Sequence, residues 1–186
     1  MTGAEATAAV IDALEAMSFR YMLVGSLSSN VFGIPRSTKD ADFVIQSGGA
    51  TLPELVSRLG PSFRLEPQVR FETITMTTRQ IVHIDEVPFI VEFFRLSDDP
   101  HDQERFRRRQ RVEIPGHKVF VPTAEDIIIT KLRWSTQGQR SKDVDDVRGI
   151  LAVQGDRLDL NYIREWCERH DTSALLDEIR RSIPSV

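Results

Sequence analysis

Asp40-Ala41-Asp42 is the first place in this chain where residue type and spacing together suggest chemistry. On a strand, alternate side chains share a side, so both carboxylates point one way and Ala41 the other. Two like charges held close repel unless a cation lies between them. Mg²⁺ suits the pair, because it takes hard oxygen ligands and completes its shell with water and substrate phosphates. Two solvated acids at a strand edge would give the same sequence, so the pair needs company. Glu92, inside the apolar run Val91-Glu92-Phe93-Phe94, supplies it. With Val91 and Phe93 facing a core, Glu92 points the opposite way and needs a partner, a metal or water. It joins Asp40 and Asp42 if the strands are neighbours. Asp85 competes for this third place, but it lies beside the turn signal Glu86-Val87-Pro88, where acids are commonly just solvated.

Just upstream, the apolar run Tyr21-Met22-Leu23-Val24 stops at Gly25-Ser26 and a short helical stretch follows. Backbone N–H groups at a helix N-terminus, with a serine hydroxyl, suit an anionic phosphate. Glycine lets that phosphate approach the backbone closely. Alone, the dipeptide is equally an ordinary strand-to-helix turn. Three charged residues on the later helices read either way. Lys131 fits a lysine stem lying over apolar surface with its amine in water. Asp143 and Asp146 fit acids favoured by the N-terminal helix dipole, and their spacing of three puts them on one helix face.

The elements that must position these residues follow from periodicity. Residues 4–17 read as an amphipathic helix, with Val10, Leu14 and Met17 at helical spacing and Thr2 and Glu5 as a capping box. Residues 21–24 and 40–46 read as strands, with a short helix at 27–32 ended by Gly33 and Pro35. Residues 51–59 predict a helix capped by Thr51. Residues 71–76, 81–84 and 89–94 predict three strands, with Arg79-Gln80 as one connection. A helix at 100–108 precedes two short strands, 112–114 and 118–121, around the turn signal Pro115-Gly116. From Thr123 the pattern is helical, interrupted by a polar loop at 135–141, with helices at 142–153, 161–169 and 173–181. The expected class is α+β: a mixed sheet packed by helices in a core of residues 1–122, and a helical C-terminal region, 123–186, packed on it.

Gly25-Ser26, then Arg36-x-Thr38-x-Asp40-x-Asp42, then a later strand acid resembles the nucleotidyltransferase superfamily typified by DNA polymerase β. The nearer likeness is to the small bacterial branch around the AbiEii-type toxins. That branch carries Arg-x-Thr-x-Asp-x-Asp, a Lys-Leu pair and an Arg-x-Lys-Asp-x-x-Asp helix. Here the last two read Lys131-Leu132 and Arg140-Ser141-Lys142-Asp143-Val144-Asp145-Asp146. The likeness spans roughly residues 21–151. It implies that Gly25 and Ser26 cradle the β- and γ-phosphates of a nucleoside triphosphate and that Asp40 and Asp42 bind Mg²⁺. Glu92 takes the third-carboxylate position, contacting metal and helping to deprotonate an attacking hydroxyl. Lys131 reaches a phosphate, Asp143 or Asp146 orients Lys131 or meets the acceptor, and Arg36 and Thr38 brace the loop, with Arg36 near a phosphate. The implied reaction attacks the α-phosphorus and expels pyrophosphate, with two Mg²⁺ ions. Glu92 departs from the family, which usually has the shorter aspartate there.

Composition limits the rest. The chain has 186 residues and a formal charge of −4, unlike a strongly basic nucleic-acid binder. Its charge is uneven: Arg105, Arg107, Arg108, Arg109 and Arg111 form either a local basic patch or a solvated helix face balanced by Asp102 and Glu104. Cys167 is the single cysteine, so no internal disulfide can form. No apolar stretch approaches the roughly 20 residues of a membrane helix. The start Met1-Thr2-Gly3-Ala4-Glu5 does not look like a secretory signal. The expected setting is therefore cytoplasmic, away from membranes. There is no Walker P-loop, His-Glu-x-x-His or Gly-x-Ser-x-Gly. Two functions remain: an active transferase on RNA (tRNA among the candidates), protein or a small molecule, including a toxin, or a non-catalytic member of a toxin–antitoxin pair with a partner protein.

Overall fold

Thr2 starts the first helix as the sequence predicts: its hydroxyl accepts from the Glu5 N–H, and the Glu5 carboxylate accepts from the Thr2 N–H at 2.7 Å. In this computed structural model, residues 1–46, 48–85, 87–114, 116–138 and 141–183 are described, with the backbone alone at 137. The chain divides into two units, residues 1–27 with 37–121 and residues 28–36 with 122–186.

The first unit is built on a six-stranded mixed sheet. Its strands are β1 (Arg20–Val24), β2 (Asp40–Gln46), β3 (Phe63–Leu65), β4 (Arg70–Glu72), β5 (Thr77–Ile84) and β6 (Ile90–Arg95). The order is β1-β2-β6-β5-β3, with β4 also on β5. Only the β2–β6 pairing is parallel. One side of the sheet is apolar because alternate residues make it so. Leu23, Ala41, Phe43, Val91 and Phe93 are all buried, and the Phe43 and Phe93 rings stack 5.6 Å apart. Helix α1 (Gly3–Ala16) covers this side, since the Tyr21 hydroxyl beneath it donates to Glu15 at 2.8 Å. Burial and that neighbouring carboxylate push the Tyr21 phenol well up from its ordinary pKa. Helix α3 (Leu52–Leu59) packs beside α1 and β3 through Leu55 and Val56. Helix α4 (Pro100–Arg108) follows the sheet, and β7 (Gln110–Ile114) and β8 (His117–Val121) form a separate hairpin beside β1.

Helix α2 (Gly25–Phe32) starts in the first unit, and its residues 28–32 belong to the second. There α5 (Ala124–Gly138) packs on α6 (Ser141–Gln154) and α7 (Leu160–Arg169), and α8 (Ser173–Arg181) on α6 and α7. Ile128, Leu132, Ile150, Ile163 and Cys167 centre its core, and burial raises the Cys167 thiol pKa. Trp166 is core as well, 8% exposed. Among the described residues no helix is long and apolar enough to cross a membrane.

Several expected elements differ. The strand expected at 71–76 is only Arg70–Glu72, because the Glu72 carboxylate accepts from the Ile74 and Thr75 N–H groups at 2.6 and 2.8 Å and closes a turn. Arg79 and Gln80 lie inside continuous β5 rather than in a connection. Strand β3 had no signal, being three residues long. The loop expected at 135–141 is helical through Gly138. Arg105 is not on a solvated face: it is 6% exposed and bound to Asp102 at 2.7 Å. Glu86, Pro115 and Arg140, used in the sequence argument, lie outside the described residues.

Candidate functional site

Strand register, not side-chain chemistry, brings the first group together. Asp40 and Asp42 alternate along β2, so both leave the sheet on the side away from Phe43. Asp42 pairs with Glu92 across the parallel β2–β6 contact and with Val24 across the antiparallel β1–β2 contact. Register partners project to the same side, so Glu92 stands beside Asp42. Gly25 follows Val24, at φ +65°, a conformation that favours glycine. A Cβ there would lie 1.9 Å from Asp42 Oδ2 and 2.9 Å from its Cγ. The Asp42 carboxylate therefore fills the space a side chain at 25 would need. Ser26 sits in the first turn of α2 immediately after it.

The other partners in this unit are specific. Thr38 donates its hydroxyl to Asp40 Oδ1, bracing the carboxylate from the residues leading into β2. Glu92 is bound by Arg79 of β5, Nη1 to Oε2 at 3.1 Å, and its side chain is 13% exposed. Asp85 is exposed, beyond the end of β5. Among the described residues no three His, Cys, Asp or Glu side chains are gathered tightly enough to hold a metal ion. Asp40 and Asp42 offer an all-oxygen pair on one side of one strand, which fits a Mg²⁺ that takes its remaining ligands from phosphate and water. A ready-made three-carboxylate cage is not formed, because Glu92 is turned to Arg79.

The second unit holds the remaining expected residues in a charge network. Lys131 of α5 donates to Asp143 Oδ1 at 2.8 Å and lies 2.7 Å from Asp146 Oδ2. Arg36 donates to the same Asp146 through Nε at 2.7 Å and Nη2 at 2.9 Å, a two-pronged contact. Lys131 is 7% exposed, Asp143 6% and Asp146 8%. Burial pushes the Asp146 carboxyl up, but hydrogen bonds from Arg36 and Lys131 more than offset this and hold it below the usual range. Asn30 of α2 fixes the Arg36 main chain from both sides, donating to its carbonyl at 2.8 Å and accepting from its N–H at 3.0 Å. Gly33 and Gly149 allow the approach beneath, where a Cβ on Gly33 would come 3.1 Å from the Ile150 nitrogen.

The ten expected residues thus fall into two groups. Gly25, Ser26, Thr38, Asp40, Asp42 and Glu92 are in the first unit, and Arg36, Lys131, Asp143 and Asp146 in the second. Sequence reasoning missed Arg79 and Asn30. Arg79 carried a usable signal, since Arg79-x-Ile81-x-His83 alternates once β5 is taken as one strand. Asn30 carried none.

Comparison with known proteins adds the fold. No protein-family model and no curated protein matches the sequence. Solved structures do. ANT(2'')-Ia in complex with adenylyl-2''-tobramycin shares 12% identity over 91% of this chain and 97% of that one, at a TM-score of 0.61. JHP933 from Helicobacter pylori shares 15% over 92% and 74%, at 0.54. An antigenic nucleotidyltransferase-like protein from Paracoccidioides brasiliensis shares 19% over 96% and 93%, at 0.54. The chain has the nucleotidyltransferase fold, α+β with a mixed sheet and a helical C-terminal part.

Proposed function

We propose that this chain, having the nucleotidyltransferase fold, moves a nucleoside monophosphate from a nucleoside triphosphate to an acceptor hydroxyl. The observation that carries the reading is the seat of the Asp42 carboxylate against Gly25, with Asp40 on the same side and the α2 N-terminus next in the chain. The N–H groups at the start of α2 and the Ser26 hydroxyl receive the β- and γ-phosphates. Asp40, held by Thr38, and Asp42 bind Mg²⁺. Bound there, Mg²⁺ would offset phosphate charge and favour in-line displacement. The acceptor oxygen forms a bond to the α-phosphorus, the bond from that phosphorus to the bridging oxygen breaks, and pyrophosphate leaves with the electron pair. The Glu92 carboxylate, beside Asp42, takes the acceptor's proton, which requires it to exchange its Arg79 contact. The chain mainly positions groups and supplies charge.

The ANT(2'')-Ia structure carries an adenylylated tobramycin. An acceptor of that amine-rich kind suits acidic surroundings, whereas in this chain an arginine flanks Glu92. The AbiEii-like toxin role is the version of the reading in which tRNA or protein accepts the nucleotide. The Arg79–Glu92 pair also favours a second reading, a non-catalytic nucleotide-binding partner whose third acid is permanently neutralised.

The test incubates the protein with each α-³²P-labelled triphosphate, Mg²⁺ and total cellular RNA or protein, beside an Asp42→Asn variant and an EDTA control. Label transferred by the wild type, and lost in both controls, is the expected result. Transfer by Asp42→Asn at the wild-type rate sinks the reading. Mg²⁺-dependent triphosphate binding without transfer selects the non-catalytic partner.

A further inference from the structure

The side of the sheet that carries Asp42 and Glu92 continues across β5 into β3 and β4, and there it changes sign. Arg79 of β5 stands in register with Arg70 of β4, and His83 of β5 with Arg64 of β3. Arg79 shares a side with Glu92 because Ile81, two residues on, is the register partner of Glu92. Three guanidinium groups therefore line the outer strands next to the candidate third acid. Arg70 and Arg79 stand opposite one another in the β4–β5 pair, each held by an acid, Glu66 and Glu92, and the Glu66 hydrogen bond and charge, with the Glu92 charge, raise the Arg70 pKa.

Among the described residues the neighbouring acids do not saturate this row. Glu92 takes Arg79, and Glu66 takes Arg70 at 2.8 Å and His83 at 3.3 Å. Glu72 is occupied by the turn N–H groups. Among the described residues, two carboxylates, Glu66 and Glu92, thus face three guanidinium groups and a histidine. The Arg70 side chain is 40% exposed and that of Arg79 30%, Arg64 is exposed, and among the described residues the Arg70 Nε–H has no acceptor. The two cationic positions, Arg70 with Arg79 and Arg64 with His83, lie four residues apart on β5, about 13 Å at strand rise. One phosphate reaches only one of them, while a strand with recurring phosphates reaches both.

We propose that Arg64, Arg70 and Arg79 bind the phosphate backbone of a single-stranded nucleic acid and that this strand is the acceptor. As acceptor assignment, this rests on the transfer reading above; as a binding site, it stands by itself. Strand binding gives Arg79 an alternative partner to Glu92, leaving that carboxylate to the acceptor hydroxyl.

Fluorescence anisotropy of the full chain with labelled 12-nucleotide RNA and DNA strands, without triphosphate, tests the site. The Arg70→Gln/Arg79→Gln double variant should bind at least tenfold more weakly, with the log–log salt slope reduced by about 1.4 for two lost phosphate contacts. Arg64→Gln, at an exposed side chain, should lose about threefold, and it keeps the test decisive if the double variant misfolds. Arg58→Gln, on exposed α3 surface, makes the same charge change elsewhere and should bind as wild type. Unchanged strand binding in Arg64→Gln and in the folded double variant overturns the proposal. So does displacement of the strand by millimolar inorganic phosphate, which marks a lone phosphate site. Loss of Mg·ATP binding instead of strand binding in the double variant assigns the row to the triphosphate and also overturns it. Strand binding that depends on the arginines, with no nucleotide transfer, sinks the acceptor role and the transfer reading but keeps the site.

Discussion

Replacing Lys131 with methionine keeps the apolar stem and removes a cation bonded to both Asp143 and Asp146. All three side chains are buried, at 8%, 8% and 4% exposure. Asp146 keeps its two-pronged contact with Arg36, but the Lys131 bond to Asp143 is lost. Removing one partner of a buried ion pair typically costs about 3–5 kcal/mol, because the remaining charge stays desolvated. With a urea slope of about 2 kcal/mol per molar, the unfolding midpoint should drop by about 2 M at unchanged slope. The assay is urea unfolding at pH 7 followed by far-UV circular dichroism. Lys131→Met/Asp143→Asn should regain more than about 1 kcal/mol, since it also removes the buried charge that Lys131 balanced. A single-variant loss below about 1 kcal/mol, the value of an exposed pair, refutes the reasoning. So does a tenfold loss of Mg·ATP affinity with an unmoved midpoint, which would assign Lys131 to a phosphate, as the family resemblance implies.

Three further outcomes follow from the same geometry. Gly25→Ala meets both a left-handed backbone, costing about 1–2 kcal/mol, and a contact of 1.9 Å with Asp42 Oδ2; its melting temperature should fall and its Mg·ATP binding weaken more than tenfold, and wild-type binding would break the link between Gly25 and the site. The Asp146 carboxyl is held low in the folded chain, so its stabilising share is present above the unfolded value of about 3.9 and is lost as pH falls through the folded value. Unfolding free energies measured from pH 6 down to 2.5 should show a steeper decline below about pH 4 in wild type than in Arg36→Gln, and equal slopes would contradict this. Asn30→Ala loses both bonds to the Arg36 main chain and should cost about 1–2 kcal/mol in the same urea assay; no loss would mean the loop is held otherwise.

Much of this molecule is legible in its sequence. The capping box at Thr2, the core alternation of Ala41, Phe43, Val91 and Phe93, and the helical end all rest on local periods of two or 3.6 residues, which sequence displays directly. Asp40 and Asp42 were legible for the same reason, since strand alternation alone gives them a common side. The order Gly25-Ser26, Asp40-x-Asp42, strand acid pointed to the fold that the solved structures share.

Pairing partners were not legible, because nothing local encodes them. Which strand lies beside β2 depends on the whole sheet, and that register set Glu92 next to Asp42 and Asp42 against Gly25. The same register placed Arg79 on Glu92 and Arg70 opposite Arg79. Lys131 shows the same limit. In sequence it is a helix lysine 12 residues from Asp143, and only the packing of α5 on α6 made it a buried cation between two carboxylates. The sequence by itself determined which residues can carry charge, and on which side of each element. The tertiary structure decided which charges meet, because contacts between distant segments arise from the joint packing of all elements and not from the periodicity of any one.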